Sequence, residues 1–342
     1  MEASSKAEHH DTQRFDSKAR AIGAIVGALV ADAACMGLHW IYDHNKLQEL
    51  VGEEGRPEFH EPPACPFYSY EPGRNTPYGE QTLKLLEIVA EGGAFDVAEA
   101  VEKHRLYFDP EAGSYTGRLD HSMKGFLANV KAGKKYPECG SDDEQANGMA
   151  RICSIVARYA GQEELLDRVD EAIRMTQNTD KAVAMGMAAA RALEYVILGS
   201  SPKDAIQATL SDLRSPTRKH AKEADVEVLQ KMEEALQLAK SGVGHYEAVA
   251  KIGLSCAFPY SLQNGVHIMS LEEPKSYQDA VRDSILAAGD SASRLLWIGA
   301  CLGAHYGVDA IPAEWKAATN EYARVLALAQ KVVEAAPYRC EE

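Results

Sequence analysis

An all-α fold follows from three features of the chain. Apolar residues recur at helical spacing from Arg20 to Val333, no stretch alternates polar and apolar residues with a period of two, and turn-bounded clusters of Val, Ile and Thr are absent. With 46% hydrophobic residues among 342, the chain can bury a full core. No linker-like segment divides it. One domain is therefore expected over residues 19–336, with a polar, disordered N-terminal tail, 1–18, and a short C-terminal tail, 337–342.

The first helix is expected over 19–38. Its apolar run carries Gly23, Gly27 and Ala31 at every fourth residue, a stripe of small side chains that would let a neighbouring helix approach closely. Lys18 and Arg20 before the run, and Ala31-Asp32-Ala33 after it, also imitate a secretory signal. The run is shorter than the ~20 residues that span a bilayer, and the seven cysteines are scattered without a C-x-x-C pair. Both points favour a core helix in a reducing, cytoplasmic compartment.

Residues 52–79 are rich in Pro, Gly, Tyr and Glu and cannot sustain a helix. A long irregular loop inside a compact domain is more often functional than not. Helices are then expected over 79–92, 95–108, 118–132, 144–160, 163–176, 178–198, 202–213, 218–241, 245–270 in two pieces, 276–288, 291–305 and 313–335. Ser201-Pro202 sets a capping hydroxyl before a proline at the first helical position, and Asp180 falls in a first turn, where a carboxylate favours the helix dipole.

The net charge of −15 argues against nucleic acid or anionic membrane as partners, because both need a basic face. It suits a chain that stays soluble by self-repulsion. Composition says nothing of the oligomeric state.

Three stretches carry a resemblance: Gly27-Ala28-Leu29-Val30-Ala31-Asp32-Ala33-Ala34, Pro77-Tyr78-Gly79-Glu80-Gln81-Thr82, and Gly289-Asp290-Ser291-Ala292-Ser293 ahead of an apolar helix. In this order and spacing they resemble the opening helix and the two ligand turns, Thr-Asp-Asp-Thr and Gly-Asp-x-Asp-Ser/Thr, of the ADP-ribosylglycohydrolase superfamily. The likeness spans about residues 20–335, and Leu38-His39-Trp40-Ile41-Tyr42-Asp43 is similar to the branch that contains the jellyfish J-type crystallins.

The resemblance implies an orthogonal helical bundle with a polar cleft, where two magnesium ions hold ADP-ribose and the attacking water. Its ligands fall on Gly79, Glu80 and Gln81 in the first turn and on Asp290, Ala292 and Ser293 in the second. Two ligand side chains are thus absent, and one acid has become an amide. Magnesium gains most from charged carboxylates, so the expectation is one ion, held by Glu80, Gln81, Asp290 and Ser293, or none, and not the full pair. Without metal, Glu80 and Asp290 become plain helix caps, Asp290 an exposed one, worth about 1 kcal/mol each.

By the same resemblance His39 falls where some family hydrolases place an acid–base glutamate, so the implied catalytic set is Glu80, Asp290 and His39. A histidine can move protons near neutral pH. The competing reading packs it, semi-buried, between Leu38 and Trp40. Asp32, inside an apolar helix, must find a donor or an ion, and with Asp43, Asp120 and Asp180 at element ends it forms the candidate substrate-binding group. Three functions are in play: a hydrolase of a glycosidic bond in a small-molecule or ADP-ribosylated substrate, a J-type crystallin without catalysis, and a protein that binds an ADP-ribose-like ligand uncleaved.

Overall fold

The computed structural model describes residues 2–53 and 55–336, with side chains described from Ser17 onward. The expected C-terminal tail lies outside the described residues, as do the side chains of 1–16 in the expected N-terminal tail. Seventeen α-helices and no strand make up the described residues. They are α1 (Glu2–Cys35), α2 (His44–Val51), α3 (Pro77–Ala90), α4 (Val97–Phe108), α5 (His121–Lys131), α6 (Asn147–Arg151), α7 (Cys153–Tyr159), α8 (Leu165–Arg174) and α9 (Asp180–Ile197). Then follow α10 (Pro202–Arg214), α11 (Asp225–Lys240), α12 (His245–Ile252), α13 (Tyr260–Met269), α14 (Tyr277–Leu286), α15 (Ser291–Tyr306), α16 (Ala313–Ala318) and α17 (Tyr322–Glu334).

At the centre α1 crosses α15 with the two backbones touching. A Cβ added at Gly23 would overlap the carbonyl oxygen of Gly303, and one added at Gly27 would overlap that of Gly299. Seen from α15, Gly299 lies against Gly27 and the methyl of Ala31. The expected small-residue stripe therefore meets a matching one. The span Ser17–Leu38 is apolar enough to cross a membrane, yet 94% of its 18-residue apolar window is buried inside the fold, and α15 is buried from Ser291 to Ala304. A helix that is apolar all round belongs in a core.

Polar ties fix the neighbours of this pair. The Tyr277 hydroxyl of α14 donates to the Gly27 carbonyl at 2.6 Å, and the Trp297 indole N–H of α15 donates to the Ala189 carbonyl of α9 at 3.0 Å. Four side chains, Phe108, Met123, Phe126 and Cys139, make a smaller satellite cluster between α4 and α5.

The differences from the expected helices have local causes. The first helix begins at Glu2, within the stretch expected as a disordered tail, and stops at Cys35, followed by a single 3-10 turn over Met36–Leu38, so His39 lies beyond it in extended backbone. There the Trp40 N–H donates to the Gly289 carbonyl and the Gly289 N–H to the Ile41 carbonyl, at 3.0 and 2.7 Å. This pairing with the second ligand turn outweighs continuing the helix. An unexpected helix, α2, starts where the Asp43 carboxylate accepts from Asn45 N and Lys46 N. The stretch 144–160 divides at Ile152 into α6 and α7, 218–241 becomes helical only at Asp225, and 313–335 breaks between α16 and α17.

Candidate functional site

The first ligand turn is bonded to Asp32 of α1, and the second pairs with the chain just beyond that helix. Thr76 caps α3, its hydroxyl oxygen accepting from Tyr78 N at 3.2 Å and Gly79 N at 3.3 Å. That hydroxyl in turn donates to Asp32 Oδ1 at 2.6 Å, while Thr76 N and Asn75 Nδ2 donate to Asp32 Oδ2 at 2.8 and 2.9 Å. The acid inside the apolar helix has thus found its donors, and they staple α1 to the start of α3. Burial still pushes its carboxyl up, to about 7, against the pull of the Thr76 and Asn75 hydrogen bonds.

Gly79 lies so close to this staple that a Cβ would overlap Asp32 Oδ2 and press on Asn75 Cβ. Glu80 pairs instead with Arg74, at 2.9 Å. Gln81 donates through Nε2 to Asp120 Oδ2 at 2.5 Å, and Asn147 Nδ2 donates to the same oxygen at 2.7 Å and to Gln81 Oε1 at 3.1 Å. Met123 N donates to Asp120 Oδ1 at 2.8 Å. Asp120 is both the cap of α5 and the acceptor of two side-chain amides, and burial raises its pKa despite them.

In the second turn, Ala288 and Gly289 take left-handed backbone, with φ of 67° and 70°. The buried Arg294 holds this geometry by donating to the carbonyls of Ser284, Ala288 and Asp290 and to Ser284 Oγ. Burial without a direct carboxylate partner lowers the Arg294 pKa to about 10, and the charge of Asp290 works against that fall. Asp290 then caps α15, with Oδ1 accepting from Ser293 N at 3.2 Å and meeting His39 Nε2 at 2.8 Å. Ser293 Oγ is 2.7 Å from Ser261 Oγ.

His39 and Asp290 are both fully buried. Burial lowers the His39 pKa, more strongly than Asp290 raises it. For Asp290, burial works upward, but the hydrogen bonds from His39 and Ser293 hold it below the usual carboxylate range. The pair is therefore a neutral imidazole donating from Nε2–H to a carboxylate. Nδ1 is left to accept from the Tyr68 hydroxyl at 2.9 Å. Trp40 stacks on the imidazole at 4.3 Å, and its own φ of 62° is rare for a bulky residue. Phe67 and Arg118 close over the outer face of Trp40, each 5.4 Å from it.

Between the turns, the Tyr78 hydroxyl is buried without a partner of good geometry, and so are Asp290 Oδ2 and Asn147 Oδ1. Tyr78 feels the charges of Asp290, Cys256 and Asp120, and burial pushes its pKa well up. The partly exposed Cys256 accepts from Gln145 Nε2 at 2.9 Å, and burial raises its thiol to about 11.

The four expected ligands thus separate into Glu80 with Arg74, Gln81 with Asp120 and Asn147, and Asp290 with His39 and Ser293. Among the described residues no three His, Cys, Asp or Glu side chains are grouped to hold a metal ion. The candidate substrate-binding acids separate too. Asp32 and Asp120 are buried structural acceptors, Asp43 is an exposed cap of α2, and Asp180, 79% exposed, pairs with Arg174. Asp290, expected as an exposed cap, is instead fully buried, because the pairing of Trp40 and Ile41 with Gly289 lays His39 over it.

The sequence reading assigned no role to Tyr68, Tyr78, Asn147 or Arg294. The aromatic richness of residues 52–79 was the one signal that could have pointed to Tyr68.

A family model described as ADP-ribosylglycohydrolase matches residues 13–342. Crystallin J1A of Tripedalia cystophora is 28% identical, with 92% of this chain and 97% of the crystallin covered. Crystallin J1B of the same animal matches at 28% over the same shares. Among solved structures, one titled ADP-ribosylglycohydrolase-related protein complex superposes with a TM-score of 0.68 at 19% identity, covering 94% of this chain and 99% of that one. Two helix-opening turns joined by a glycine-lined helix pair, together with a family match over nearly the whole length, make this chain a member of the ADP-ribosylglycohydrolase family.

Proposed function

We propose that the chain is a hydrolase of a glycosidic bond to ADP-ribose or a related group, and that it works from Asp290 rather than from two magnesium ions. The observation that supports this is the setting of Asp290: its carboxyl is held below the usual carboxylate range, Oδ1 is pinned by His39 and Ser293, and Oδ2 has no partner. A carboxylate with one committed oxygen and one unpartnered is suited to accept a proton from a water that the substrate brings into the site. In the reaction the water oxygen bonds to the anomeric carbon and its proton passes to Asp290 Oδ2. The bond to the leaving nitrogen or oxygen breaks with its electron pair on that atom, which takes a proton from solvent. His39, with both nitrogens engaged, positions the carboxylate.

The residues present do not fit a two-magnesium site. Asp32 fills the space a side chain at Gly79 would need, Arg74 already neutralises Glu80, and Asp120 is satisfied by two amides where a cation would be wanted. The proposed compartment is the cytosol.

A second reading, a structural protein of the J-crystallin kind, is supported by the whole-length similarity to crystallins J1A and J1B. One experiment separates the two. Purified protein is incubated with ADP-ribosyl-arginine and ADP-ribosyl-serine peptides, with magnesium and with a chelator. Turnover that survives the chelator supports the hydrolase, turnover only with magnesium overturns the metal-free part, and none on any ADP-ribosyl substrate favours the structural reading.

A further inference from the structure

The irregular segment between α2 and α3 brings Tyr68 against the imidazole of His39, and it is fastened on both sides of that contact. Before Tyr68, the Glu58 carboxylate accepts two bonds from Arg282 of α14, at 2.9 and 2.5 Å. Phe59 N donates to the Ala34 carbonyl at 2.8 Å, and Ala64 N to the Gly37 carbonyl at 2.7 Å. After it, the Tyr70 ring lies 4.3 Å from the Tyr68 ring, and the Tyr70 hydroxyl accepts from Arg118 N at 2.7 Å. Tyr68 is thus presented by a fixed stretch of chain.

Its hydroxyl has one hydrogen and two firm acceptors in reach, His39 Nδ1 at 2.9 Å and the Met36 carbonyl at 3.4 Å. Asp290 decides between them. Its carboxyl is held below the usual carboxylate range, so Oδ1, 2.8 Å from His39 Nε2, only accepts, and Nε2 must carry the hydrogen. Burial lowers the His39 pKa. The imidazole is therefore neutral, its single N–H is spent on Asp290, and Nδ1 is a lone pair in need of a donor. Burial also pushes the Tyr68 pKa well up, so that donor keeps its hydrogen.

We propose that Tyr68 is a positioning residue for Asp290, acting through His39: its hydroxyl holds the imidazole at Nδ1, so that Nε2–H stays aimed at the carboxylate and keeps one of its oxygens committed. The role rests on the reading of Asp290 as the base. A bond at Nε2 alone leaves the ring free to swing about that contact. A second bond at Nδ1, with Trp40 stacked on the ring at 4.3 Å, leaves one orientation. Without the hydroxyl, Nδ1 becomes a buried acceptor lacking a partner, and a ring that turns to find one carries Nε2–H away from Asp290.

The test uses the full-length protein with ¹⁵N-labelled histidine, the His39 signals being identified by their loss in His39→Gln. In the wild type, long-range ¹H–¹⁵N spectra should place the hydrogen on Nε2 and show Nδ1 as a hydrogen-bonded acceptor. In Tyr68→Phe, with an unchanged circular dichroism spectrum, Nδ1 should move to the position of an unbonded acceptor, a change that lost packing alone does not produce. On whichever ADP-ribosyl substrate the wild type turns over, Tyr68→Phe should lower kcat about tenfold or more and leave KM nearly unchanged. A hydrogen found on Nδ1 in the wild type would overturn the assignment, and that measurement needs no variant to fold. So would an Nδ1 signal that Tyr68→Phe leaves in place, or an unaltered kcat. No turnover by the wild type defeats the hydrolase reading instead, and the spectra still decide whether Tyr68 holds His39.

Discussion

Asp290 and Asp32 are both buried acids beside a helix start, and their surroundings drive them in opposite directions. Asp290 keeps its charge because His39 and Ser293 donate to it, so replacing it disturbs more than a surface cap would. Asp290→Asn preserves the acceptor for His39 and removes the charge. It should cost roughly 1.5–3 kcal/mol, the scale of a hydrogen bond to a charged group, and should abolish any turnover. A chemical denaturation midpoint equal to wild type would show that the pair does not stabilise the fold. Asp32 has a folded pKa of about 7 against an unfolded value near 3.9. Between those values the folded chain holds a proton that the unfolded chain lacks. The contribution of Asp32 is therefore fully present below about pH 4, falls as pH rises to about 7, and is level above. Urea midpoints measured at about pH 5 and 7 should differ less in Asp32→Asn than in wild type. An identical pH slope in both proteins would remove Asp32 as the titrating group.

The pairing of α1 with α15 was half legible in advance. Gly23, Gly27 and Ala31 announced a close approach on α1, but nothing in their spacing named Gly299 and Gly303 as the other side. That information is tertiary. Gly303→Ala should cost at least the roughly 1–3 kcal/mol typical of overpacking, because the obstacle is the rigid backbone of α1 at Gly23 and Gly27. A urea midpoint within error of wild type would mean the helices can separate freely. In α3 the sequence located the ligand turn and missed what replaced the ligands, since Asp120 and Asn147 come from distant segments. Gln81→Asp would set a second carboxylate against Asp120 and leave both short of donors. Its melting temperature at neutral pH should fall, and magnesium should restore part of the loss, whereas wild type should be indifferent to magnesium. A wild type stabilised by magnesium would show that a metal already sits there. Gly79→Thr is not a route to rebuilding the family ligands, because Asp32 occupies the space.

For the molecule as a whole, the all-α class, the single domain core and the family were written in periodicity and in three short motifs, because those depend on residues close in sequence. The burial of Asp290 was not, because it depends on where the chain after α1 turns back at Trp40 to pair with Gly289. The charge is the other whole-molecule property. At −15 the net charge is large for 342 residues, and many of the 36 basic side chains are tied in surface ion pairs with acids, so excess acid covers the exterior. Such pairs add little stability each, but the unpaired remainder repels a second copy of the chain over about one Debye length. Light scattering should therefore give a positive second virial coefficient at about 10 mM salt, where that length is ~30 Å, and a markedly smaller one at about 150 mM, where it is ~8 Å. This is the behaviour a protein held at high concentration needs, and an acidic enzyme would show it too, so the measurement tests the charge argument and leaves the chemistry to the substrate assay. A negative coefficient at low salt would mean that a specific attractive surface overrides the repulsion, and a concentration series in the ultracentrifuge would then reveal the oligomer it builds.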